Sequence, residues 1–139
     1  AISPMIQPVA SRCSSTAKSF SFSALGFMHA AGRGVPQDLP KAAEFYRQGA
    51  ALNDVLGMNN LADLMARGAA GLVRDDAGAL ALYRRGADRG SSYSMNAIGV
   101  FYRDGRGGLG RDAQQARAWF DKAAALGFAP AKSNLQALR

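Results

Sequence analysis

The sequence predicts an all-α fold, a solenoid of antiparallel helix pairs running to about three and a half repeats, and three observations carry that expectation. The first is a recurring block. Leu25-Gly26 lines up with Leu61-Ala62, Ile98-Gly99 and Leu135-Gln136, and the steps between these positions are 36, 37 and 37 residues. Gly32, Gly68 and Gly105 fall in register, as do Asp38, Asp75 and Asp112, and so do Phe45-Tyr46, Leu82-Tyr83 and Trp119-Phe120. A period of this size, broken only where the first Gly-to-Asp loop is one residue shorter, marks stacked repeats. The second observation is that two helical segments alternate within each unit, one ending in a tight Gly or Asn turn and one in a longer Gly-rich loop. The third is that no segment shows the period-two alternation of a strand.

Taken in order, residues 1–18 form either a tail or a degenerate capping helix, and 19–139 form the solenoid. Projected back one period, Val9-Ala10 falls where Phe45-Tyr46 falls, Cys13-Ser14 where Gly49-Ala50 falls, and Ala17 where Asn53 falls. That is the pattern of a worn second helix from a preceding unit, with Cys13 in a small buried slot. Residues 19–31 carry Ser21, Leu25, Met28 and His29 at helical spacing. Asp38 is the expected N-cap of the next helix, with Pro40 in its first turn, where a missing N–H costs nothing. That helix runs on Ala42, Ala43, Phe45, Tyr46 and Ala50 to Asn53, which aligns with Gly90 and Gly127. All three are expected to adopt the left-handed backbone that stops a helix, a place where Asn substitutes for Gly. Helices follow over about 54–67, 76–89, 92–104, 112–126 and 129–138.

At 139 residues and 48% hydrophobic composition the chain is one ordered domain. Its single Cys excludes a disulfide framework within the chain and a multi-Cys metal site, and leaves the compartment open between periplasm or secretion and cytoplasm. The longest uncharged apolar run, Ser19 to Gly32, is too short and Ser-rich to span a bilayer. The chain begins at Ala1, consistent with a trimmed leader, and no signal peptide is visible in it. Net charge is +7, and thirteen of the 17 basic residues are Arg, but they are dispersed, with only Arg84-Arg85 adjacent. Dispersed charge reads as a solvated surface, so nucleic acid is not the expected partner.

Gly32-Arg33-Gly34-Val35-Pro36-Gln37-Asp38 with Lys41-Ala42 and Phe45-Tyr46, and Trp119-Phe120 through Ala123-Ala124 and Gly127, closely resemble the Sel-one-like repeat (SLR), a subclass of the tetratricopeptide-like (TPR-like) superfamily. The resemblance covers residues 19–139. The middle unit departs from it, with Ala62 for Gly, Met65 for Tyr and Gly78 for Lys, and no unit carries the Cys pair that braces some members. The resemblance implies a right-handed superhelical scaffold that binds proteins or peptides without catalysis. It further implies bacterial roles in envelope assembly, signalling or host contact.

Other motifs weigh little against this. Gly105-Arg106-Gly107-Gly108-Leu109-Gly110 has the glycine spacing of a dinucleotide loop, but a helix precedes it where a strand is required, and the same loop recurs as repeat punctuation. His29, the only His, aligns with Met65 and Tyr102 at a helix interface, and with one Cys and one Glu it makes no triad or metal set. No cofactor and no metal are expected. Asp75 reads as an N-cap and Asp76 as a first-turn carboxylate. Phe45, Tyr46, Tyr83, Trp119 and Phe120 read as second-helix core by periodicity, and Leu25, Leu61 and Ile98 as the buried residues of the first helices.

By resemblance to tetratricopeptide arrays, the positions −5, −2, +2, +5 and +6 from the motif Leu line a concave face. They are Phe20, Ser23, Phe27, Ala30 and Ala31, then Leu56, Asn59, Asp63, Ala66 and Arg67, then Tyr93, Asn96, Val100, Arg103 and Asp104. Of these, Phe20, Phe27, Asn59, Asp63, Arg67, Tyr93, Asn96, Val100 and Arg103 form the expected binding site. Its aromatics, its two Asn in register and its two Arg suit a peptide backbone and an acidic group. The expected function is a non-catalytic scaffold for an acidic protein or peptide; the alternative is an immunity or inhibitor-type protein that blocks an acidic partner. Enzyme and oligonucleotide-binding readings rank below both.

Overall fold

The computed structural model describes residues 7–68 and 72–138, with side chains from Lys18 onward apart from Ser19. The described residues form seven helices: α1 (Gln7–Ala31), α2 (Leu39–Ala51), α3 (Val55–Arg67), α4 (Asp76–Asp88), α5 (Ser92–Asp104), α6 (Ala113–Ala125) and α7 (Ala129–Ala137). There is no strand among the described residues. Each helix packs on its chain neighbours, so α1/α2, α3/α4 and α5/α6 are the pairs and α7 opens a fourth.

Local chemistry sets the helix ends. The carboxylates of Asp38, Asp75 and Asp112 accept from the N–H of Lys41, Gly78 and Gln114–Gln115, each satisfying a donor that the first helical turn leaves open. Asn53, Gly90 and Gly127 are left-handed, at φ 66°, 87° and 87°. A Cβ on Gly90 would meet nothing within 4 Å, so only backbone conformation opposes it there. Gly90→Ala is therefore expected to destabilise by about 1 kcal/mol. Urea unfolding checks this, and an unchanged midpoint would remove the αL stop from the account.

The Leu-Gly motif has a packing reason. A Cβ on Gly26 would lie 2.6 Å from the Tyr46 ring, and one on Gly99 would lie 2.5 Å from the Phe120 ring. The bare glycine thus lets an aromatic of the paired helix lie against the backbone. Tyr46, Tyr83 and Phe120 are 3%, 3% and 0% exposed. Their neighbours Phe45 and Trp119 are only half-buried, a correction to the expected core. Adjacent helical residues point about 100° apart, so one of each pair must leave the core. Phe45 stacks instead on His29, with centroids 5.3 Å apart, and Lys122 lies 4.4 Å over Trp119.

Two further differences lie in α1. It runs without a break past Ala17, where the backward projection placed a stop; Ala lacks the left-handed freedom of Asn or Gly. Leu25, expected buried, is 38% exposed, while Leu61 and Ile98 are 5% and 0%. The internal pair each have a preceding helix over them, and α1 has none among the described residues. Burial of Cys13 lies outside the described side chains.

The glycine-rich loop after α5 is a clamp between units. Arg106 donates to the Asp76 carboxylate at 2.8 and 3.1 Å and to the Ala66 carbonyl at 3.1 Å, and its guanidinium lies 4.6 Å from the Phe101 ring centre. Arg106, and then Arg74, hold the Asp76 carboxyl down to about 2. Because this folded-state pKa lies below the unfolded one, the stabilisation is full above about pH 4 and is lost as pH falls towards 2. Solvent screening reduces the gain to about 1 kcal/mol. Arg106→Gln is expected to lower stability at pH 6 by that amount and to differ little from the parent near pH 2. A difference that persists at pH 2 would mean Arg106 acts through Phe101 and Ala66 alone.

Candidate binding face of the first helices

The first helices of the units, α1, α3, α5 and α7, are tied side by side through their −2 positions. Ser23 donates to the Asp54 carboxylate, and Asn59 accepts from the Ser94 hydroxyl while donating to the Ser91 hydroxyl at 3.1 Å. Asn134 donates to the Asn96 amide oxygen at 2.9 Å. Ser23 and Asn59 are 4% and 6% exposed. This corrects the expectation that two Asn in register present their amides to a ligand: the Asn59 amide is used on both sides, and Asn96 is engaged with the next helix. A buried amide left unpaired costs about 1–3 kcal/mol, which is why each finds a partner one unit on.

Around these ties the face is open. Phe20, Phe27 and Tyr93 are 64%, 52% and 42% exposed, and Leu56 is exposed between them in the frame. Arg33 lies 5.9 Å over the Phe27 ring. Val100 and Arg103 are half-buried on α5. Arg103 donates to the Asp104 carboxylate at 2.9 and 3.2 Å, which raises the pKa of Arg103 and lowers that of Asp104. Arg67 is exposed and forms no ion pair among the described residues. The two arginines expected to act together thus differ: one is committed to a neighbour and the other is available.

Asp63 accepts from the hydroxyls of both Tyr83 and Tyr93. Burial, and then the adjacent carboxylate, push both phenols far above their ordinary value. Both therefore stay protonated donors in ordinary buffers. Tyr93 also meets Phe128 edge-on, with centroids 6.0 Å apart. Asp63, Ala66, Arg67, Tyr83 and Tyr93 line a cavity of about 380 Å³. Tyr93 also borders a second cavity of about 530 Å³, whose walls include Leu56, Asn60, Arg89, Ser91 and Ser92. Asp63, Arg67 and Tyr93 are thereby brought together. Phe20 and Phe27 on α1, and Asn96, Val100 and Arg103 on α5, line neither cavity.

Sequence reasoning missed Tyr83, Phe128 and Arg89. Tyr83 was assigned to the core from its ring, which is correct for the ring, but its hydroxyl reaches Asp63 across the pair. Phe128 stands where Asp54 and Ser91 stand in the other units, and that break in register was the available signal. Among the described residues no three His, Cys, Asp or Glu side chains gather as a metal site, and no helix is long and apolar enough to cross a membrane.

The Sel1 repeat family matches residues 23–54, 55–91 and 92–128. Two solved structures are similar in sequence as well as fold. A protective antigen present in uropathogenic Escherichia coli strains, displaying an SLR fold, is 29% identical over 84% of this chain and 24% of its own, with a TM-score of 0.75. A Sel1 repeat protein from Oxalobacter formigenes is 30% identical over 84% of this chain and 47% of its own, with a TM-score of 0.78. The chain thus spans about a quarter and about half of their lengths. Cysteine rich protein B of Helicobacter pylori shares the fold at 20% identity, over 88% of this chain and 92% of its own, with a TM-score of 0.68. No curated protein matches the chain.

Proposed function

Because the chain belongs to the Sel1 repeat family, whose members generally mediate protein–protein interaction and are typically non-catalytic scaffolds, we propose that it binds an acidic protein or peptide segment across α3 and α5, with Tyr93 as the central contact. The observation that carries this reading is the pair of adjoining cavities that share Tyr93, with exposed Arg67 at one and exposed Arg89 at the other. Half-exposed aromatics flanked by cations are hot-spot chemistry, since the ring supplies desolvated area at small entropic cost and the cations select the partner's charge. Phe20 and Phe27 extend the same face on the first unit, and Asp63 holds the Tyr93 hydroxyl in place. Asn59 borders the larger cavity, but its amide is already paired with Ser91 and Ser94, and Asn96 lines neither cavity. The net charge of +7 adds a field that draws acidic segments towards it.

Fluorescence anisotropy with labelled acidic peptides of about ten residues, alongside basic peptides of the same length, tests the proposal. Acidic peptides are expected to bind, and Arg67→Glu combined with Arg103→Glu is expected to weaken them by several kcal/mol with helicity unchanged. Arg67→Glu alone is expected to account for most of the loss, because Arg103 is already paired with Asp104. Equal affinity for basic peptides, or affinity unmoved by the double substitution, would overturn the site.

A further inference from the structure

The two cavities that share Tyr93 differ in chemistry, and their order along α3 is fixed. Leu56, Asn59, Asp63 and Arg67 stand three, four and four residues apart, so they form one stripe down the helix. Leu56 belongs to the larger cavity together with Arg89 and Tyr93, whereas Asp63 and Arg67 belong to the smaller one. With Arg89 at the Leu56 end, the surface presents in turn a cation, an apolar step, a carboxylate and a second cation. Both arginines are exposed, and neither forms an ion pair among the described residues.

The carboxylate breaks what would otherwise be a uniform attraction for acids. Each oxygen of Asp63 accepts one phenol, from Tyr83 and from Tyr93, and keeps a second lone pair. An acidic side chain opposite it meets like charge in a half-buried setting, which disfavours binding. A neutral amide or hydroxyl there meets a free acceptor instead.

Helix geometry sets the spacing of the occupant. Leu56 and Arg67 lie about 16 Å apart along the axis of α3. An extended chain advances about 3.3 Å per residue and returns to the same face at every second one. Four residues and the reach of the Arg67 side chain therefore cover that length. Two residues in the other direction bring a side chain to Arg89, in the wall of the same cavity as Leu56.

Resting on the proposed function and narrowing it, we infer that the partner is an extended segment with acid, apolar, neutral polar and acid side chains at i, i+2, i+4 and i+6. The first acid meets Arg89, and the apolar side chain seats between Leu56 and the Tyr93 ring. The neutral donor meets Asp63, and the second acid meets Arg67. The Asn60 amide lines the apolar cavity and is engaged with no described residue, so it supplies hydrogen bonds to the segment's backbone.

Fluorescence anisotropy with end-capped peptides of about ten residues tests the register, since that length spans i to i+6 in extended form. The reference peptide carries Glu at i, Leu at i+2, Gln at i+4 and Glu at i+6 on a serine and alanine background. It is measured beside its reversed sequence, and the tighter of the two is kept. Replacing its glutamine by glutamate is expected to weaken binding at least about fivefold, although it adds a negative charge. Replacing its leucine by serine is expected to weaken binding about tenfold, and Leu56→Ser in the protein should erase that dependence. Asp63→Asn, with helicity checked by far-UV circular dichroism, should make the three-acid peptide bind at least as tightly as the reference. Tighter binding of the three-acid peptide by the parent protein would show attraction by net charge alone. So would equal affinity for a peptide of the same composition with its two acids side by side. Either result overturns this register and leaves the acidic-partner reading standing. Should no acidic peptide bind better than a basic one, the reading beneath falls and the register with it.

Discussion

Phe120→Ala is expected to lower the unfolding free energy by about 3–5 kcal/mol, read from urea denaturation at pH 7. The ring is fully buried in α6, and its edge lies against Gly99 on α5, so closely that a Cβ there would stand 2.5 Å away. That arrangement blocks repair. The wall facing the new cavity is backbone with no side chain to swing in, and the helices on either side are held by their own capped ends. A cavity that cannot collapse gives the upper part of the usual range. Trp119→Ala, one residue away and half-buried, is expected to cost a fraction of this. In a linear stack the damage is local, because each unit contacts only its neighbours. Hydrogen exchange should therefore quicken first in α5, α6 and α7 and only later in α2 and α3. A uniform loss of protection would show a stack more cooperative than nearest-neighbour packing provides.

Much of this scaffold is legible in the sequence because the signals are local. An Asp three residues before the N–H it caps, an Asn or Gly at the αL stop, and a Leu-Gly step opposite an aromatic all act within one helix or one helix pair. The recurrence of each signal at the same phase lets Asn53, which alone would be ambiguous, be read from Gly90 and Gly127. The interiors of Phe45-Tyr46 and Trp119-Phe120 were half legible: the pair marks the core, but periodicity does not say which of two adjacent aromatics enters it.

The binding face was harder to read for a different reason. The partners of Ser23, Asn59 and Asn96 lie 31 to 38 residues away, on the next unit. A frame taken from one helix says that these side chains leave its core side, and is silent on whether solvent or another helix waits there. The polar N-caps Asp54 and Ser91, in register one unit on, were the trace of that second helix. Tyr93 stands out in the sequence because its size breaks the pattern at its position, and Asp63 because it sits in the frame. The hydroxyl of Tyr83 reaches Asp63 across the helix pair, and no single-helix argument predicts that.

Gly57→Val is expected to be the most damaging glycine change, lowering stability by about 3 kcal/mol or more. In a helix interior, replacing Gly normally gains up to about 1 kcal/mol, because the unfolded chain loses freedom. Here the sign reverses. A Cβ at 57 would stand 2.9 Å from the Ala50 nitrogen, 2.9 Å from the Tyr46 carbonyl oxygen and 3.1 Å from the Gly49 carbonyl carbon, all of them backbone of α2. Backbone in a capped helix cannot rotate aside, so α2 and α3 must separate. Separation opens the core that Leu61 and Leu64 share with Ala42, Ala43 and Tyr46, and the two methyl groups of Val enlarge the gap. Gly78 makes the contrast, because its Cβ would meet side-chain ends and not backbone: the tip of Met65, which can move, and the Asp75 carboxylate, whose displacement costs only the N-cap bond, so the expected loss for Gly78→Ala is smaller. Gly110, with nothing within 4 Å, serves as the control. Thermal unfolding of the three variants should rank them Gly57→Val, Gly78→Ala, Gly110→Ala from least to most stable. Gly57→Val melting as high as Gly110→Ala would show that α2 and α3 have slack that the close backbone approach denies.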